Sequence, residues 1–468
     1  MTQSDAAQTP RLHLAAILSL GLPLVGSHLA QFAVTVTDTV MLGWYDIEVL
    51  AAQVLGGMMF FVLFIMGSGF AWAVMPMVAE AESAGRITEV RRVTRMGLWL
   101  SGLFGLACLP LFWWSGPVLQ SLGQEPHLAQ QAQDYLRIAG WGILPALAVM
   151  VLKSYLSALE RTQVVLWATV AAAAVNVLGN YALIFGNFGA PELGIRGAAI
   201  SSILVQLVSM VLLAIYVARV TPEHTLFKRF WRADGQAFGQ VFRLGWPIGI
   251  TNLAEVGLFA ASSVMMGWLG VLTLAAHGIA LQITSAFFMV HLGLSNVATI
   301  RAGRALGRGD LAGLRLGGRM VTALSMAMVA LTMALFLLMP APLIAVFVAP
   351  SEPDRAAVIA IGIGLLAAAA LFQLVDAAQV IALGLLRGVQ DTRVPMWIAT
   401  ASYWLAGVPL SYLLGFTFGL GGVGIWLGLA AGLALAGVFL MHRFWWLTLP
   451  RLARQAGAVT GVAGQSRR

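Results

Sequence analysis

Three carboxylates stand where a carboxylate is costly. Asp38, Glu255 and Asp376 lie inside long apolar runs, whereas the other Asp and Glu residues gather in polar loops or near the ends of such runs. At membrane depth an ionised side chain costs about 2.5–3.5 kcal/mol on insertion scales, so an acid there faces a water-filled cavity, a partner or a passing ion. No Lys or Arg stands close to these three in sequence as a fixed counter-ion. The missing positive charge is therefore expected to be a proton, a metal cation or a cationic substrate. Glu255 shares the run from Ile248 to Met266 with Thr251, Asn252, Ser262 and Ser263, and Asp376 shares the stretch from Ile359 to Leu386 with Gln373 and Gln379. Asp38 lies closer to the end of its run, where a plain helix-end acid is the competing reading. Asn176 and Asn180 are four residues apart on one helical face, where two amides can donate to a carboxylate and offer carbonyl oxygens to a cation. Amides joining neighbouring helices are the alternative.

This is chemistry of reversible ion binding rather than of bond making. The chain has no GxxxxGK[ST] phosphate loop, no nucleophile elbow and no metal-hydrolase signature, so neither ATP use nor catalysis is expected. His28, His277 and His291 are scattered over different runs without ligand spacing, and the single Cys108 excludes an internal disulfide. No resident cofactor is expected.

The elements that must carry these residues are membrane spans. Of 468 residues, 60% are hydrophobic and 10% charged, and the mean hydropathy is +0.87. No water-soluble domain could clothe itself with so little polar surface. About twelve apolar runs, each long enough for a spanning helix, are separated by short polar breaks, which predicts an all-α integral membrane bundle. Of the 27 Lys and Arg residues all but Arg137, Arg196 and Arg355 fall in alternate loops, so 27 − 3 = 24 lie on one side. That alternation is the positive-inside pattern and predicts both termini and the Lys228 linker in the cytoplasm, with Glu352 outside. It also accounts for a pI near 10.2 without any nucleic-acid partner. The apolar run after Arg11 is too long for a signal-peptide core, so no cleavable signal is expected.

The spans come in two sets. Gly21, Pro23, Met41, Gly69, Gly85 and Arg95 return as Gly245, Pro247, Met265, Gly293, Gly309 and Arg319, each 245 − 21 = 224 residues later. Six spans per half return the chain to the side where it began, so the halves are predicted to be parallel repeats around a central cleft, residues 1–233 and 234–468. Pro23 and Pro247 open the first span of each half, where proline removes a backbone hydrogen bond and bends the helix. The paired kinks are candidate hinges or simple shapers of a cavity. The acids, however, do not repeat: Glu255 aligns with Gln31 and Asp38 with Ser262, so the halves are not equivalent ion sites.

Taken in order, Asp38-Thr-Val-Met-Leu-Gly, Leu50-Ala-Ala, Glu255, Leu274-Ala-Ala-His, and Asp376 followed by Leu386-Arg-Gly-Val-Gln-Asp-Thr-Arg-Val-Pro resemble the multidrug and toxic compound extrusion family, in its bacterial NorM-type branch. The resemblance runs from Pro23 to about Trp426. It implies a monomeric antiporter in which a proton or sodium ion enters as an organic cation, a drug or dye, leaves through alternating access. By the same resemblance Asp38, Asn176 and Asn180 form an amino-terminal polar cluster, while Glu255 and Asp376 form a carboxy-terminal cation site. Family members with a proposed sodium site often carry a tyrosine one turn before the second acid, where this chain has Phe372. Lipid-linked oligosaccharide flippases of the same superfamily are the nearest rival, but they usually need basic residues facing the cleft. A non-transporting receptor or structural membrane protein is a rival of another class, and an ion channel lacks a filter-like loop here.

Overall fold

The computed structural model describes residues 10–455. Every regular element among them is helical. In chain order the spans are α1 (Pro10–Tyr45), α2 (Ile47–Ser83), α3 (Ile87–Trp113), α4 (Pro126–Ala158), α5 (Thr162–Leu183), α6 (Ile195–Val220), α7 (Gly235–Trp268), α8 (Val271–Gly307), α9 (Leu311–Leu338), α10 (Arg355–Gly388), α11 (393–417) and α12 (Gly421–Gln455). Eleven of these are helical runs long and apolar enough to cross a membrane. The twelfth, α11, is helical throughout but changes pitch twice: π-helical turns at Ser402–Gly407 and Leu413–Thr417 interrupt it. Wide turns of this kind re-aim side chains and recur at functional sites. Large apolar side chains such as Trp44, Leu338, Trp397 and Leu405 stand exposed around the helices, as a lipid-facing surface requires.

The repeat holds to within one residue at every end of the first three helices of each half. Ile47 and Ser83 bound α2, and Val271 and Gly307, 224 residues on, bound α8; α3 and α9 start at Ile87 and Leu311 with the same spacing. Local chemistry explains part of this. The turns before α3 and α9 pass through Gly85 (φ 72°) and Gly309 (φ 67°), left-handed positions that cost an L side chain energy. At the preceding junction the halves differ: Asp46 Oδ1 accepts from the Glu48 and Val49 amides at 2.7 and 3.0 Å to start α2, while Gly270 (φ 116°) makes the corresponding turn before α8.

Two compact units emerge, Gly26–Gly249 and Ile250–Arg468 with Met1–Val25. Their boundaries, Val25/Gly26 and Gly249/Ile250, are themselves 224 residues apart, and both fall inside a helix, two residues past Pro23 and Pro247. The opening part of α1 thus packs in the unit of α8, α10 and α12, and the opening part of α7 in the unit of α2 to α6. Paired glycines permit this. A methyl group on Gly69 would lie 2.5 Å from the Gly245 carbonyl oxygen and the Gly249 nitrogen, and one on its repeat partner Gly293 would lie 3.0 Å from the Val25 backbone.

The linker between the sequence halves is fastened within the first unit. Arg95 donates to the carbonyls of Leu226 (2.6 Å), Thr225 (2.9 Å) and Lys228, Trp99 Nε1 to that of Phe230 (3.0 Å), and Arg91 to Thr225 Oγ1 (2.8 Å). Tyr155 meets Thr221 at 3.0 Å and the His224 ring. Asp234, next to the start of α7, accepts both nitrogens of the Arg92 fork and the Ala237 amide, and the Arg92 hydrogen bonds hold its carboxyl down to about 2. With the linker so tied, the opening part of α7 goes with the unit that precedes it.

Candidate ion-coupling clusters

In the first unit, α1 carries Asp38 and α5 carries Asn176 and Asn180, whose spacing of four puts both amides on one face. Both amides converge on one atom: Asn176 Nδ2 and Asn180 Nδ2 donate to Asp38 Oδ1 at 2.7 and 2.6 Å. Asp38 is half-buried, the asparagines are fully buried, and their two Oδ1 atoms have no hydrogen-bond partner. Tyr135 of α4 is buried and lies within electrostatic range of Asp38. The three residues singled out by sequence are therefore together, with Tyr135 as a member that sequence reasoning missed. The cluster supplies one carboxylate, two donors already engaged and two spare carbonyl oxygens. Such a set can take up a proton or a monovalent cation.

In the second unit, α7 brings Asn252 and Glu255, three residues apart on one face, and α10 brings Asp376. Asp376 is 2% exposed, lies within electrostatic range of Glu255, and has one oxygen, Oδ1, without a hydrogen-bond partner. The π-helical turn of α11 completes the site. Its Tyr403 hydroxyl accepts from Gln379 Nε2 at 2.6 Å and lies within range of both acids, and its Trp404 Nε1 donates to the Ala254 carbonyl at 3.2 Å. Gln373 donates to the Thr284 carbonyl of α8 at 3.2 Å. Phe372, one turn before Asp376, packs its ring edge-on to Phe259 and Trp426 with centroids 5.8 and 5.3 Å apart. The phenol of this cluster comes from Tyr403 instead.

One expectation is overturned. Arg387, assigned by sequence to a basic loop, belongs to the last turn of α10, is 5% exposed, and donates to Asn252 Oδ1 at 2.9 Å within electrostatic range of Glu255. Glu255 has a resident cation for a neighbour. The signal was present in the spacing: eleven residues are about three turns plus 20°, so Arg387 and Asp376 share a face of α10.

The histidines hold other places. His277 accepts from Trp426 Nε1 (3.1 Å) and meets Ser263 Oγ (3.2 Å), and His291 pairs with Ser325 (2.9 Å), as neutral rings joining helices do. Among the described residues no three His, Cys, Asp or Glu side chains gather as a metal site. Both clusters offer oxygen atoms, which suit protons and hard cations rather than transition metals.

A membrane-spanning helical bundle built as a duplication, with an acid-centred polar cluster in each unit, defines the class as a membrane-transporter fold. The family model MatE matches residues 23–182 and 247–413. The chain is 44% identical over 453 residues to the probable multidrug resistance protein NorM of Rhizobium meliloti, covering 96% of each chain, and 44% identical over 434 residues to that of Agrobacterium fabrum, covering 92% and 93%. Its fold matches the crystal structure of the eukaryotic MATE transporter AtDTX14 with a TM-score of 0.82 at 19% identity, over 96% of this chain and 98% of that one. The chain belongs to the MatE family, whose proteins are transporters rather than enzymes.

Proposed function

We propose that this protein is a multidrug efflux transporter that exports organic, mainly cationic, compounds in exchange for inward-moving H+ or Na+. The observation that carries the reading is the pair of acids in one unit, Asp376 buried and Glu255 half-buried within electrostatic range of it, supported by Tyr403 and Gln379. An ion that neutralises such a cluster favours one conformation, and a bound organic cation favours the other; differential affinity of this kind is what a ligand-driven cycle needs. The membrane potential adds about 2.3 kcal/mol per charge per 100 mV to the drive. The topology that fits is a monomer in a bacterial inner membrane with both termini cytoplasmic. The similarity to proteins named for multidrug resistance supports the substrate class.

The test is reconstitution into liposomes with sodium and pH gradients imposed separately and ethidium as the substrate. One gradient is expected to drive ethidium movement, and Glu255→Gln and Asp376→Asn to abolish it while leaving folded protein in the membrane. Normal transport by either variant would remove that residue from coupling. Ethidium movement independent of both gradients would refute the antiport reading.

A further inference from the structure

The carboxy-terminal cluster holds an odd charge count. Its charged members are Glu255 on α7 and Asp376 and Arg387 on α10; Tyr403 is the other titratable group that faces them, and Asn252 and Gln379 are the neutral partners. No electrostatic interaction links His277 or His291 of α8 to these groups, and both rings are engaged elsewhere. Two carboxylates and one guanidinium sum to 2 − 1 = 1 negative charge. Arg387 cannot shed its proton under ordinary conditions, and its planar fork is held by Asn252, one turn from Glu255.

We infer that Arg387, fixed by Asn252 on the face of α10 that bears Asp376, is a resident counter-charge that cancels one of the two acids, so that the cluster exchanges one monovalent cation per cycle rather than two. The inference rests on the antiport reading for its role in transport, but the charge count itself does not. Two acids with no internal cation would call for two protons or a divalent ion to become neutral. With Arg387 in place, one proton or one sodium ion suffices. On the same count each acid is expected to be indispensable. If either is neutralised by substitution, Arg387 already balances the other, and no charge remains to attract an ion.

Counting protons tests this directly. Purified protein in sodium-free, weakly buffered detergent is titrated between pH 5 and 9 against each variant, and the difference in bound protons is read at neutral pH. Arg387→Gln is expected to hold about one proton more than wild type, and Glu255→Gln and Asp376→Asn about one fewer, because neutrality of the buried cluster sets the number. Arg387→Lys should match wild type, and the double variant Arg387→Gln/Glu255→Gln should return to the wild-type count. A merely structural arginine would leave the count unchanged and would not be corrected by removing an acid.

If Arg387→Gln fails to fold, the two acid variants decide alone: retention of the wild-type count by both would overturn the inference. So would an unchanged count in folded Arg387→Gln, or a double variant that keeps the extra proton. The antiport reading fails on different data. Wild-type vesicles that respond to neither gradient would sink it, while the proton count would still rule on Arg387.

Discussion

Removing the carboxylate of Asp38 should separate two contributions that the structure superimposes. Asp38 Oδ1 accepts two amide hydrogen bonds, from Asn176 at 2.7 Å and Asn180 at 2.6 Å. Hydrogen bonds to a charged group contribute about 1.5–3 kcal/mol each and neutral ones about 0.5–1.5. Asp38→Asn keeps a carbonyl oxygen where the two donors point, so it should lose about 1 kcal/mol per bond, about 2 in all. That loss is offset by no longer holding a carboxylate at membrane depth, which costs about 2.5–3.5 kcal/mol. Asp38→Ala removes the acceptor outright. It strands two buried donors at a cost of about 1–3 kcal/mol each, or about 2–6 kcal/mol in total.

The expected order of stability is therefore Asn at or slightly above wild type, with Ala below Asn by at least about 2 kcal/mol. Unfolding by SDS in mixed micelles measures the order, and ethidium binding to the same purified proteins across pH measures function. Asp38→Asn should bind ethidium with a flattened pH dependence, since it mimics the protonated acid in charge and shape. If Asp38→Ala proves as stable as Asp38→Asn, the two amide bonds carry no weight. If wild type and Asp38→Asn share one pH profile, Asp38 does not respond to protons and is only a helix-end acid.

Other perturbations follow from the packing. Asp234→Asn should destabilise the linker end by about 1 kcal/mol at pH 7, after discounting for the exposure of the Arg92 partner. Because the Asp234 carboxyl is held down to about 2, this contribution is full above the unfolded value of about 3.9 and is lost as pH falls through about 2, so the gap between wild type and variant should close over that interval. Gly69→Ala should cost about 1–3 kcal/mol by pushing on the Gly245 and Gly249 backbone, whereas Gly102→Ala, with open space around it, should be neutral or stabilising; equal effects in an unfolding assay would contradict the close-approach argument. In a Cys108-free background, a cysteine at Lys228 should resist an impermeant external reagent in intact cells and one at Glu352 should react, and the reverse pattern would invert the topology.

Hydropathy and the 224-residue repeat made most of the fold legible, because span length and side-chain polarity are imposed by the bilayer on each segment separately. The α1/α2 and α7/α8 pairs, the Gly85 and Gly309 turns, and the equivalence of Pro23 with Pro247 could all be read from residue identity. The exchange of helix openings could not. It depends on which surface Gly69 and Gly293 meet, and a glycine does not name its partner. The acids of both clusters were visible because a carboxylate in an apolar run is conspicuous. Tyr135 and Tyr403 were not, since an aromatic residue in a span looks the same whether it packs against lipid or stands within electrostatic range of a carboxylate. Arg387 was hidden by position: a basic residue in the last turn of a helix resembles a loop residue under the positive-inside pattern, and only the eleven-residue spacing from Asp376 sets it apart.

Arg387 also bears on why the two halves, so alike in backbone, differ in their acids. The amino-terminal cluster has one carboxylate, Asp38, held by two neutral amides, and so carries a single negative charge. The carboxy-terminal cluster has two carboxylates and a guanidinium, and on the proposed reading it carries a single negative charge as well. What the duplication retains is then a charge count rather than a residue. A lone acid and an acid pair with an internal cation meet the same electrostatic requirement, one monovalent positive charge for neutrality in a low-dielectric surround. They meet it with different ligand atoms. Around Asp38 the amide donors occupy one carboxylate oxygen, and the two asparagine carbonyl oxygens remain unpartnered. Around Asp376 the unpartnered Oδ1 and the Tyr403 oxygen are the atoms a cation would share. The same fold can in this way hold two clusters of equal charge and unequal chemistry.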